Sequence, residues 1–107
     1  MTDKVFEALS SAPRRRILAF LSRTDMTAGE IVARFDGIMS QPAISKHLSV
    51  LESSGLAWRE KRGQNVHYGL RQDALAAPLV QFLAQVCPRS RPYCRDSAAT
   101  AKRKKGA

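Results

Sequence analysis

Apolar positions along the first 87 residues change period twice, from helical to alternating and back to helical. Val5, Phe6 and Leu9 mark a first short helix, and Ser10, Ser11 and Ala12 hand the chain to a second. Pro13 suits the first turn of that second helix, where its missing N–H costs nothing. Ile17, Leu18 and Leu21 recur at helical spacing, predicting an amphipathic helix that ends near Ser22 or Arg23 with Arg14, Arg15 and Arg16 pointing mostly outward. Thr27 and Glu30 have capping-box spacing and open a helix carrying Ile31, Val32 and Phe35, which Asp36 and Gly37 stop. Ser40 is the next N-cap, followed by a buried stripe of Ile44, Leu48 and Leu51, with Gly55 placed as a C-terminal cap. Then Val66, Tyr68 and Leu70 alternate with Asn65, His67 and Gly69, while Gly63 and Gln64 sit at a turn, which predicts a charged hairpin. Trp58, Tyr68 and Leu70 read as packing residues. Leu75, Leu79, Phe82, Leu83 and Val86 form a last helical stripe, and Pro78 predicts a kink or a start later than Asp73 suggests.

With 107 residues the chain suits one domain with a modest core. No apolar stretch approaches the roughly 20 residues of a membrane span, and no signal-peptide pattern opens the sequence, so a cytoplasmic protein without membrane contact is expected. The formal charge of +9 suggests a polyanionic partner. Its distribution is uneven: residues 88–107 hold seven Lys/Arg against one acid, leaving only +3 on residues 1–87. Residues 1–87 are therefore expected to form the folded domain, and 88–107 a basic, mostly disordered tail. That tail alone would give nonspecific phosphate affinity, so any specific nucleic-acid reading must rest on the middle of the chain. Cys87 and Cys94 are too few for a disulfide framework and lack zinc-site spacing, so reduced thiols are the expectation. Their flanking Arg89, Arg91 and Arg95 would favour thiolate if the pair senses oxidants or soft metals.

Two short helices with a tight turn, followed by a charged hairpin, have the order of a winged helix-turn-helix. The predicted class is mainly α with a β-hairpin wing, in the order α-α-α-α-β-β-α. The helix from Ser40 to Ser53 begins with Gln41 and Pro42 and carries Ser45, Lys46, His47 and Ser49 on its polar side. Short hydrogen-bonding side chains let such a helix approach base edges closely, so Ser40, Gln41, Pro42, Ser45, Lys46, His47 and Ser49 are candidate contacts to double-stranded DNA. Arg59, Lys61 and Arg62 before the hairpin turn, with Gln64 and Asn65 after it, would follow the flanking phosphates. On another helix the same polar face would simply be solvated, and charges on a hairpin can merely keep an edge strand soluble. The competing functions are a winged-helix protein-interaction module and a nonspecific basic DNA-binding protein. Large exposed apolar residues on the polar face would favour a protein partner, and none is expected there.

The segments VFEALSSAPRRRILAFL, TAGEIVARF, SQPAISKHLSVLESSGLA and GQNVHYGL resemble the ArsR-type winged helix-turn-helix repressors. The third segment is the most specific, with its Ser-Gln-Pro start, Ser-Lys-His triplet and Leu-x-x-Leu before a glycine. The resemblance is closest to small autorepressor-like members without metal sites. It implies repression through a palindromic operator, release by some signal, and a homodimer joined through the first and last helices. The stripe of Val5, Phe6, Leu9, Leu79, Phe82, Leu83 and Val86 supports such pairing, because it exceeds what so small a body can cover. A two-fold dimer would set two recognition helices about 34 Å apart, on successive major grooves. Metal-sensing members carry ligands on the first helix of the motif or on the last helix. TAGEIVARF and LVQFLAQV offer none, so no metal or cofactor is expected. No catalytic triad, phosphate loop or paired acid supports an enzyme.

Overall fold

The structure is a computed structural model and describes residues 2–87. The chain divides into two units, 1–76 and 77–107. The first unit begins with α1 (Thr2–Leu9), α2 (Ala12–Leu21), β1 (Met26–Thr27), α3 (Ala28–Arg34) and α4 (Gln41–Ser53). The hairpin β2 (Ala57–Arg62) and β3 (Asn65–Leu70) follows, and α5 (Gln72–Val86) starts in the first unit and continues into the second.

Local chemistry explains the boundaries. Ser11 caps α2 by accepting from the Arg14 backbone N–H, with Pro13 in the first turn. Thr27 and Glu30 complete the expected capping box: the Thr27 N–H donates to Glu30 Oε1 at 2.8 Å, and the Glu30 N–H donates to Thr27 Oγ1 at 3.2 Å. The Thr27 backbone donor, followed by the Thr27 hydroxyl contact, holds the Glu30 carboxyl below its ordinary pKa. Asp36 (φ 52°) and Gly37 (φ 78°) turn the chain between α3 and α4 through the left-handed region, which Asp tolerates and Gly adopts freely.

The core lies where α2, α3, α4 and the base of the hairpin meet. Ile17, Ile31, Ile44, Leu48, Leu51 and Leu56 are fully buried, with Phe35 beside them. The predicted stripe of α4 is thus the part that anchors it. Phe20 meets Phe35 edge-to-face with ring centroids 5.7 Å apart.

The structure departs from expectation at Val5 and in the sheet. Val5, assigned to a dimer-forming stripe, is buried in the core of the single chain. The two-residue β1 was missed: it pairs antiparallel with β3, Met26 opposite Tyr68 and Thr27 opposite His67, making the sheet order β1-β3-β2. A strand this short shows no alternation to read. Of the two outcomes expected from Pro78, a kink or a later start, the later start does not occur: helix α5 starts at Gln72 and holds Pro78 inside it.

No residue of α5 is buried; Val80, Leu83 and Val86 are 63%, 45% and 49% exposed. Cys87 is disulfide-bonded, which overturns the expected reduced thiol at that position. The expected tail, with Cys94 and its neighbouring arginines, lies outside the described residues. Among the described residues, no helix is long and apolar enough to cross a membrane, and no group of three or more His, Cys, Asp or Glu could hold a metal ion.

Candidate nucleic-acid interface

Helix α4 is fixed at both ends. At its start the Ser40 hydroxyl accepts from the Ala43 N–H at 3.3 Å, and Pro42 occupies the first turn. At its end Gly55, at φ 85°, donates to the Glu52 carbonyl while the Leu56 N–H reaches back to the Leu51 carbonyl, both at 3.0 Å. This is a Schellman motif, and its hydrophobic pair, Leu51 and Leu56, is fully buried. Leu56 is also the acceptor for the Arg71 N–H at 2.8 Å, which ties the helix end to the end of the hairpin.

Opposite the buried Ile44, Leu48 and Leu51, the helix exposes Gln41, Pro42, Ser45, Lys46 and Ser49, and Ser40 is exposed at its cap. These candidates therefore share one helix and its solvent side. Val50 is also exposed at 36%, and Ile38, in the turn leading to α4, at 71%. The expectation of no large exposed apolar residue beside this face is therefore corrected. Helical spacing puts Val50 on the outward side but in the later half of α4, away from the cap.

His47 differs from its neighbours. It is half-buried on the flank of α4, and its Nδ1 lies 3.3 Å from Arg14 Nη1. Burial, and then the nearby Arg14 charge, lower its pKa below the ordinary 6.5. Of the arginine run expected to point mostly outward, Arg15 and Arg16 are exposed and Arg14 is half-buried, and all three have partners that the expectation did not include. Arg14 Nε donates to the Ala8 carbonyl at 2.7 Å and Nη2 to the Glu7 carbonyl at 3.2 Å, while Arg15 Nη1 donates to the Leu9 carbonyl at 2.6 Å. Helix α1 has no basic residue in its last turn, so these two arginines from α2 satisfy its terminal carbonyls. The Arg16 guanidinium lies over Phe35 and Phe20, at 5.3 and 5.9 Å from the ring centroids. Outwardly directed donors in sequence gave no sign of these three-dimensional acceptors.

The wing is a tight hairpin in which Arg62 faces Asn65 across a two-residue turn. Gly63 has φ 62° and Gln64 does not share it, the pattern of a type II′ turn, whose twist suits paired strands. Burial falls off along β2 from Ala57 to the tip, so Arg59, Lys61, Arg62, Gln64 and Asn65 are all exposed.

The strand alternation separates the cations. Arg59 and Lys61 share one face, whereas Trp58, Glu60 and Arg62 share the other. Arg62 Nε donates to Glu60 Oε1 at 2.6 Å and Nη1 to Asp25 Oδ2 at 3.0 Å, and its guanidinium lies 5.7 Å from the Trp58 ring centroid. Glu60 first and Asp25 second raise the Arg62 pKa. Its charge is met by Glu60 in the wing and Asp25 ahead of β1, whereas among the described residues no ion pair involves Arg59 or Lys61.

Comparison with known proteins locates this geometry in a family. The family described as bacterial regulatory protein, arsR family, matches residues 12–57, from the start of α2 to the start of the wing. The transcriptional repressor SdpR of Bacillus subtilis (strain 168) is 38% identical over 73 residues, covering 68% of this chain and 79% of that protein. The transcriptional activator HlyU of Vibrio cholerae serotype O1 is 32% identical over 91 residues, covering 85% of this chain and 76% of that protein. An ArsR-like transcriptional regulator from Rhodococcus sp. RHA1 matches with a TM-score of 0.69 and 30% identity, covering 94% of this chain and 90% of that one.

Proposed function

Given that the chain belongs to the ArsR family of winged helix-turn-helix transcriptional regulators, we propose that it is a repressor that binds a palindromic operator as a homodimer, reading bases with α4 and phosphates with the wing. The observation that carries this reading is the rigid presentation of α4. Capped at Ser40 and locked at Gly55, it exposes Gln41, Ser45, Lys46 and Ser49 with few long side chains to hold the backbone away from base edges. Arg59 and Lys61 supply the phosphate contacts, which fix register without reading sequence. Repression is taken from the similarity to the named repressor, which at 38% identity exceeds the 32% identity to the named activator.

The homodimer forms through the first and last helices, α1 and α5. The exposed Val80, Leu83 and Val86 support this, since an apolar stripe on a helix is covered when a second copy packs on it. Burying Val5 in the monomer core leaves the larger share of the interface to α5. A closed two-fold arrangement then demands two half-sites about one helical turn apart. Sedimentation at micromolar concentration, together with hydroxyl-radical footprinting on the DNA upstream of its own coding region, tests this. A dimeric mass and two protected segments spaced by about one turn are expected. A monomeric mass with uniform protection would overturn it.

A further inference from the structure

We propose that Arg14 is a positioning residue for DNA recognition: it holds His47 as the neutral tautomer protonated on Nε2, so that α4 offers a fixed hydrogen-bond donor to a phosphate oxygen at the groove edge. The inference rests on the DNA-binding reading of α4 and assigns roles to two residues on which sequence is ambiguous.

The geometry runs from α1 to the recognition helix. Arg14 projects from α2, and its guanidinium makes three contacts. Nε donates to the Ala8 carbonyl at 2.7 Å, Nη2 to the Glu7 carbonyl at 3.2 Å, and Nη1 approaches His47 Nδ1 at 3.3 Å. The two carbonyls hold the planar fork in place, so the direction of its third donor is set before DNA arrives. A guanidinium donates only and does not lose its proton near neutral pH. The His47 atom facing it must therefore be an acceptor, with its lone pair on Nδ1. In a neutral ring the proton then resides on Nε2.

A proton on Nδ1 would set N–H against N–H, and protonating both ring nitrogens would add cation against cation. The lowered His47 pKa agrees with this arrangement, with burial the larger cause and the Arg14 charge the second. Arg14 is the charged side chain acting on the ring.

His47 follows the exposed Ser45 and Lys46 but sits on the flank of α4, half-buried. A ring in that place reaches the strand bordering the groove more readily than the base edges beneath the helix. Phosphate is thus the acceptor that fits, and such a contact fixes the register of Ser45 and Lys46 without itself choosing a sequence.

The test combines a reading without DNA and a reading with it, on the full-length protein. Long-range ¹H–¹⁵N correlation spectra of ¹⁵N-histidine-labelled protein are expected to show His47 in the Nε2-protonated form. In Arg14→Ala the ring should become a tautomer mixture with a pKa moved upward. Arg14→Lys keeps a charge but not the fork, and should restore the low pKa better than the single tautomer. Binding of the wild-type operator and of scrambled DNA should both weaken in Arg14→Ala by about fivefold, the scale of one hydrogen bond. If Arg14→Ala unfolds, Arg14→Gln takes its place in both readings.

A mixed tautomer in the wild type, or unchanged DNA affinity in a folded Arg14 variant, would overturn the proposal. A failure of the broader reading looks different: wild type would bind both DNAs alike while the Nε2 signature and its dependence on Arg14 persist.

Discussion

Gly69 is where the wing is least forgiving. It is buried in β3 directly opposite Trp58 of β2, and the indole ring lies across the space a side chain would occupy. A Cβ at Gly69 would fall far inside van der Waals contact with Cε2, Cζ2 and Nε1 of that ring. No small adjustment clears three atoms of a rigid bicycle, so in Gly69→Ala the ring must swing out and leave Arg62, whose guanidinium rests against it. Overpacking of this kind costs about 1–3 kcal/mol. The smaller unfolded-state entropy of Ala returns about 0.4–1 kcal/mol. The net expectation is a loss of about 1–2 kcal/mol, equivalent to a melting point about 5–15 °C lower for a body of this size.

Urea unfolding followed by far-ultraviolet circular dichroism would measure it, and the protein's single tryptophan should shift its emission to the red as the ring meets water. The cause is isolated by a double-mutant cycle: with Trp58→Ala in place, Gly69→Ala should become neutral or slightly stabilising. If Gly69→Ala is as stable as wild type to within about 0.3 kcal/mol, or if removing Trp58 brings no relief, the steric argument is wrong.

Other residues give independent checks. Leu48→Ala empties a fully buried site under α4 and should cost about 2–5 kcal/mol in urea unfolding, with a cost under about 1 kcal/mol contradicting its place in the core. Thr27→Ala removes one half of the capping box and should cost about 1 kcal/mol by the same assay. The folded chain resists protonating His47, so stability contributed by the neutral ring is complete above the ordinary 6.5 and declines as pH falls below it. His47→Gln should flatten that limb of a stability profile taken between pH 7.5 and 5.5, and an unchanged slope would count against the burial argument. Lys61→Ala should reduce the salt slope of DNA binding by about one contact, whereas Arg62→Ala, whose charge is already met by Glu60 and Asp25, should reduce it by clearly less.

Much of this architecture is written in local patterns. The capping box at Thr27, the cap at Ser40, the stripe of Ile44, Leu48 and Leu51, the glycine at 55 and the turn at Gly63 are each short-range chemistry, legible without a partner. What escaped depends on residues distant in sequence. Strand β1 exists because β3 is there to receive it, and no two-residue stretch announces that. Val5 could have faced a second copy or the core, and only packing against the other helices decides. Arg14 reads in sequence as a solvated charge because its acceptors, the carbonyls at the end of α1, meet it only on folding, and the aromatic rings under the exposed Arg16 are no more visible there. Arg62 shared a cluster with Lys61 in sequence, yet strand alternation and Asp25 separate their roles. The polar side of α4 was legible from sequence, whereas the division of that side into an outward row and a flanking His47 was not.

The most direct test of the central claim is the affinity of the full-length protein for its own upstream DNA against scrambled DNA across a salt series, with Ser45→Ala/Lys46→Ala measured in parallel. If α4 reads sequence, wild type should prefer its own DNA by about a thousandfold or more, and the double substitution should abolish most of that preference. Equal binding of both DNAs by both proteins, with the same salt slope, would contradict it and leave only charge to account for the affinity.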